Sequence, residues 1–147
     1  MPIMGRRPQP VFPGEVPEES PRIAAEFFVE CLENEGVEFV FGIPGEETLD
    51  LNEALDRSTR LTFIPVRHEQ VAASIVDATA RLTRRPGCIL LHSGAGTLAA
   101  SLGIAAAARE STPMIVLTGT QERQAALRGY SQTMDVLAPL QALTKWQ

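Results

Sequence analysis

Apolar positions along this chain follow two alternating rhythms. One is a helical spacing of three to four residues; the other is short unbroken runs that suit buried strands. Residues 21–35 place Ile23, Phe27, Cys31 and Leu32 on one helical face with glutamates opposite, and Gly36 ends the helix. Ser20-Pro21 marks its start, with serine to cap free amides and proline for the first turn. A run over 37–41 predicts a strand, Gly42-Ile43-Pro44-Gly45 a turn, and 48–57 a helix. A second strand over 61–66 leads into a long helix over 69–84. Arg85-Pro86-Gly87 then turns the chain into a third strand over 88–91. After Ser93-Gly94-Ala95-Gly96 comes an alanine-rich helix to about 109, then a fourth strand over 114–117. Beyond Gly119 the pattern weakens into a long loop with a short helix over 135–140. Strand, helix, strand in repetition predicts an α/β fold: an open, doubly wound parallel sheet with helices on both faces. Ligands of such folds lie at the carboxyl ends of the strands. The candidate chemistry gathers there, at Gly42 to Gly45, Arg67-His68-Glu69, His92 to Gly96, and Gly119 to Gln121.

Composition narrows the function classes. The 147 residues suffice for one domain, and an apolar fraction of 44% against 21% charged residues can fill a core. The net charge of −5 argues against a nucleic-acid binder, which needs a basic surplus or stripe. Two cysteines, Cys31 and Cys88, exclude a disulfide scaffold and a Cys-rich zinc site, and two histidines exclude a three-His metal site. No apolar run approaches a membrane span and the N-terminus shows no signal-peptide core, so a soluble cytoplasmic protein is expected. Six of the eleven prolines fall in the first 21 residues, which makes 1–20 a flexible, proline-rich tail and 21–147 the domain.

Taken singly, each loop has a plain explanation. Gly42 to Gly45 lets a backbone approach a flat ligand, but in isolation a tight βα turn is the better account. Ser93-Gly94-Ala95-Gly96 at a helix start can hold an anion. It lacks the Lys-Ser/Thr pair of a P-loop and the third glycine of a dinucleotide fingerprint. Glu69 stands where strand gives way to helix in largely apolar company, where a carboxylate can exchange a proton near neutrality; a first-turn glutamate also suits the helix dipole. His92 ends the run Ile89-Leu90-Leu91 and so faces the ligand edge, or is a hydrogen-bonded core histidine. His68 reads as a solvent-facing neighbour of Glu69.

Together the loops form a pattern. Phe41-Gly42-Ile43-Pro44-Gly45, Arg67-His68-Glu69-Gln70, Leu91-His92-Ser93-Gly94-Ala95-Gly96-Thr97 and the segment 111–119 resemble, in order and spacing, the pyrimidine-binding domain of thiamine-diphosphate enzymes. The resemblance covers 22–147. Residues 39–49 and Arg67-His68-Glu69-Gln70 are similar to acetolactate synthases. Leu91 to Thr97 and the ending Leu143-Thr144-Lys145-Trp146 are similar to benzoylformate decarboxylase.

The resemblance implies the α/β fold of that domain and roles for particular residues. Glu69 would hydrogen-bond the ring nitrogen of the cofactor's aminopyrimidine, favouring the imino tautomer that deprotonates the thiazolium carbon, which then attacks a 2-keto acid. His92 would move protons on the bound substrate. Gly42, Pro44, Gly45, Gly94 and Gly96 would line the cofactor. Glu46, Gln121 and Gln132 would border the substrate. Two departures matter. Glu46 stands where benzoylformate decarboxylase has a serine aimed at the substrate carboxylate, and an inward negative charge there would repel a keto acid. Thr97-Leu98-Ala99 replaces the Ala-Thr-Asn of acetolactate synthases. The expected function is a 2-keto acid decarboxylase of the benzoylformate type, with an acetolactate synthase-like carboligase or a non-catalytic assembly module as alternatives. An unrelated flavodoxin-like nucleotide binder fits the βα pattern but leaves the glutamate and histidine motifs unexplained. No metal ligands are expected in this chain; magnesium and the diphosphate would be held by a diphosphate-binding domain or subunit, with which the chain would assemble as a homo- or hetero-oligomer. Against the family pattern the domain reads as lacking its last helix and strand. Alone it should bind thiamine diphosphate weakly and catalyse little.

Overall fold

The computed structural model describes residues 22–121, 128 and 134–147. The proline-rich tail and Gln132 lie outside the described residues. In chain order the elements are α1 (Ala24–Asn34), β1 (Phe39–Gly42), a 3-10 turn (Glu46–Thr48), α2 (Leu49–Arg57), β2 (Thr62–Pro65), α3 (Glu69–Thr83), β3 (Gly87–Leu91), α4 (Ala95–Ala99), α5 (Ser101–Arg109), β4 (Met114–Thr118) and α6 (Leu137–Leu140). The strands form one parallel sheet in the order β2-β1-β3-β4, as the alternation predicts. From β1 the chain crosses to β2 on one side and then to β3 on the other, so the loops after β1 and β3 part at the switch point where such sheets open a cleft.

Apolar residues fill both faces. On one, α1 and α2 cover Val40, Cys88 and Leu90 with Val29, Leu32, Ala54 and Leu55. On the other, α3, α4 and α5 cover Phe41, Ile89 and Leu91 with Ala72, Ala73, Val76, Ala100 and Ile104. Alternate residues of β3 point to opposite faces, and Cys88 to Leu91 are fully buried, as a continuous apolar strand requires. Alanines on α3 and a bare Gly103 on α5 let the two helices touch; a methyl at Gly103 would fall 2.5 Å from the Ala73 methyl.

Three local expectations are corrected. The inner face of α1 is Ala25, Val29 and Leu32, while Ile23, Phe27, Phe28 and Cys31 are exposed. The sequence offers two stripes at helical spacing, and the one fitting α2 and the sheet is the less bulky. The helix also begins at Ala24, with Ile23 extended and its amide bonded by the Glu26 carboxylate (3.3 Å). The single helix expected after Gly96 is two, meeting at the fully buried Ala100. Among the described residues no helix is long and apolar enough to cross a membrane.

Candidate functional site

The four loops at the carboxyl ends of the strands converge. The loop after β1 is stapled by Thr48: its hydroxyl accepts from the Gly45 amide (3.1 Å), donates to the Gly45 carbonyl (3.0 Å) and accepts from Asn52 (3.0 Å). This tightens Glu46 to Thr48 into the 3-10 turn. Such a turn rotates side chains by about 120° per residue, so neighbours face different ways. Glu46 is exposed, while the Glu47 side chain is 4% exposed and turns into the cleft.

His68 caps α3, accepting the Gln70 amide on Nδ1 (3.1 Å). That places Glu69 at the first helical position, half-buried, where the free amides of the first turn favour a carboxylate. Gln70 pins the same turn from outside by accepting the Gly103 amide (3.0 Å), so α5 sets the rotation of α3 at the site. Sequence reasoning gave His68 no role and passed over Gln70; the cap is the signal that could have found His68.

After β3, Gly94 has φ +62°, a conformation that favours glycine, and starts α4. Thr97, fully buried, donates to the His92 carbonyl (3.0 Å) and bonds the Thr118 hydroxyl (2.5 Å), clamping the ends of β3 and β4 together. Gly96 brings the loops into contact: a methyl there would lie 2.9 Å from Glu69 Oε1 and 3.2 Å from His92 Cβ. The structure therefore brings Glu69, His92 and Gly96 to one floor. Gly45 joins them, since a methyl on it would lie 2.8 Å from the His92 ring. Gly42 is spent within the sheet, its bare Cα facing the Leu90 carbonyl, and Pro44 is exposed.

The group that sequence reasoning missed is Glu47. Its Oε1 accepts from Gln121 Nε2 (2.6 Å), and its Oε2 lies 3.5 Å from His92 Nε2. Gly119 makes room, for a methyl there would meet Glu47 Cβ at 2.8 Å. The site thus holds two carboxylates: Glu47 beside the His92 imidazole, and Glu69 across Gly96 from the His92 Cβ. Among the described residues there is no group of three or more His, Cys, Asp or Glu side chains that could hold a metal ion.

Residues 22–138 match the family model described as thiamine pyrophosphate enzyme, N-terminal TPP binding domain. The chain is similar to the acetolactate synthase large subunit of Haemophilus influenzae, 43% identical over 95 residues, which cover 65% of this chain and 17% of that protein. It is similar to the acetolactate synthase of Bacillus subtilis at 38% over 123 residues, covering 83% and 21%. A chloroplastic acetolactate synthase of Brassica napus is 33% identical over 127 residues, covering 86% and 20%. The chain spans about a fifth of the length of these curated relatives. Their names do not support the decarboxylase expected from the stretch around His92; the carboligase alternative fits better.

Proposed function

The chain belongs to the family of thiamine pyrophosphate enzyme N-terminal TPP binding domains, and from that premise we propose that it is the cofactor-activating part of an acetolactate synthase-like carboligase. The observation that carries this reading is the placement of Glu69: a half-buried carboxylate at the first turn of α3, with Oε1 against the bare face of Gly96. Gly96 packs against Oε1 so closely that any Cβ would crowd it, which seats the carboxylate at the floor of the cleft, where a flat heteroaromatic ring with a basic nitrogen can meet it. Glu69 would hold the aminopyrimidine nitrogen of thiamine diphosphate, and Gly96 and Gly45 let the floor that carries Glu69 and His92 close up beneath it. When bound, the cofactor supplies a nucleophilic carbon and takes up the electrons released from a 2-keto acid. The work of this chain's residues is narrower. Glu69 shares a proton with the ring nitrogen, the Gln70–Gly103 bond holds Glu69 in register, and Thr97 fixes the strand ends that carry the walls.

Magnesium and the diphosphate would be held by a diphosphate-binding domain or subunit. The exposed apolar side chains Val71 on α3, Leu102 on α5 and Leu49 on α2 (48%, 71% and 61% exposed) flank the cofactor edge and supply a docking surface for it. A cytoplasmic location accords with the free thiols of Cys31 and Cys88. The test assembles the chain with a diphosphate-binding partner and follows acetolactate formation from pyruvate. Glu69→Gln, which keeps the shape and removes the ionisable proton, should slow it by about 100-fold or more. An unchanged rate would sink the assigned role.

A further inference from the structure

Glu47 is a buried carboxylate at this cleft for which the proposed cofactor chemistry has no use. Its side chain is 4% exposed, and Oε2 has no hydrogen-bond partner among the described residues. Leaving a carboxylate oxygen buried and unpaired costs free energy, so its neighbourhood should hold a proton for it. Among the described residues, the titratable side chain lying against Oε2 is His92, whose Nε2 is 3.5 Å away. The other ring nitrogen, Nδ1, lies 3.1 Å from the Ser93 carbonyl oxygen. A carbonyl only accepts, so Nδ1 carries a hydrogen. If Nε2 were bare, its lone pair would oppose that of an ionised Oε2. A hydrogen on Nε2 removes the conflict and faces the unpaired oxygen. The two loops are shaped for this approach: a side chain at Gly45 would strike the imidazole at 2.8 Å, and one at Gly119 would strike Glu47 at 2.8 Å. Gln121 holds the other oxygen of Glu47, which leaves Oε2 turned to His92.

We infer that Glu47 is the positioning residue of His92, and that the two form a second acid–base pair at the cleft, separate from Glu69. The 3.5 Å separation is longer than a formed hydrogen bond, so Nε2–H is held weakly by Glu47 and can be shared with the oxygen of a bound 2-keto acid. This rests on the carboligase reading for its substrate, and not for the pair itself.

The chain contains two histidines, so labelling the imidazole nitrogens with 15N gives two rings to distinguish by nuclear magnetic resonance. His68 should show a bare Nδ1, since it accepts the Gln70 amide, and His92 should show a hydrogen on Nε2, the nitrogen that faces Glu47. Glu47→Gln offers an amide that donates to Nε2 instead of accepting from it. That should leave Nε2 of His92 bare, with His68 and the remaining amide spectrum unmoved. A wild-type His92 with a bare Nε2, or a Gln variant whose His92 signals do not move, overturns the proposal; the wild-type spectrum decides even where the variant does not fold. In the assembled enzyme, Glu47→Gln should lower kcat about tenfold or more and leave KM for the keto acid little changed. The spectra need neither cofactor nor partner. Failure of the pair therefore leaves the carboligase reading intact, whereas an inactive wild-type assembly with the pair seen in the spectra removes that reading and keeps the pair.

Discussion

Gly96→Ala adds one methyl where two side chains of the site meet. The new carbon would lie 2.9 Å from Glu69 Oε1 and 3.2 Å from His92 Cβ. Ordinary contact between such atoms begins near 3.5 Å, so the carboxylate must retreat about 0.6 Å and the strand end about 0.3 Å. The carboxylate is the tip of a flexible side chain with one face toward solvent, so it yields first. Overpacking costs about 1–3 kcal/mol where nothing can move; here the low end applies. Alanine in a helix is also favoured over glycine by about 0.5–1 kcal/mol. The two nearly cancel, and unfolding in urea followed by circular dichroism should move by less than about 1 kcal/mol. Function should respond differently. A displacement approaching 1 Å at a reacting group costs about 100-fold in rate, so acetolactate formation in the assembled enzyme should fall by about that factor. Gly103→Ala supplies the control. Its methyl would lie 2.5 Å from the Ala73 methyl, and Ala73 is fully buried on a helix that cannot swing aside. That variant should lose about 2–3 kcal/mol. A Gly96→Ala variant that loses as much stability as Gly103→Ala, or whose rate stays within threefold of wild type, would refute this account of the Gly96 contact.

Burial pushes the Cys88 thiol up from an ordinary 9.0 to about 12, whereas Cys31 is exposed. A thiol reagent at pH 8 should modify one cysteine in the native chain and two in denaturant. Because the unfolded chain ionises Cys88 first, this residue's contribution to stability is intact below pH 9 and is lost as pH rises from 9 toward 12; Cys88→Ala should flatten that alkaline limb. On α3, the Arg81 guanidinium, by its hydrogen bond, holds the Asp77 carboxyl below its ordinary value, with help from Thr112, which bonds it at 2.7 Å. A depressed carboxyl contributes stability above its unfolded value of 3.8 and loses it as pH falls through the lower folded value. Asp77→Ala should therefore weaken the acid limb and cost about 1 kcal/mol at pH 7, read from urea midpoints. Charges at the exposed Val71 and Leu102 (Val71→Asp with Leu102→Asp) should leave the urea midpoint of the chain in place while sedimentation shows weaker association with a diphosphate-binding partner. Undiminished association would move the docking surface elsewhere.

What the sequence discloses is what repeats locally. Unbroken runs such as Ile89-Leu90-Leu91 announce buried strands, and the 3.6-residue spacing of Ala72, Ala73, Val76 and Ala80 announces the buried side of α3, so sheet, order of elements and ligand edge are legible. Direction within an element is not always so. In α1 two stripes satisfy the same period, and only the fit against Ala54, Leu55 and Leu61 selects the one that goes inside. The choice between Glu46 and Glu47 is harder still. The two have the same propensity, charge and company in sequence, and a 3-10 turn sends them different ways. Glu47 turns inward because Gln121, 74 residues later, offers a donor and Gly119 leaves the space. The glycines carry the same lesson. In sequence, Gly45 reads as part of a tight turn, Gly96 as part of a helix start and Gly119 as the beginning of a loop. Among the described residues the glycines with positive φ are Gly36 and Gly94, so these three are not needed for an unusual backbone. They are needed for the missing side chain: one clears the imidazole, one the Glu69 carboxylate, one Glu47. A pattern of residues marks where a backbone comes close to something; what it comes close to is fixed by loops from other strands, and there the chemistry of this cleft is decided.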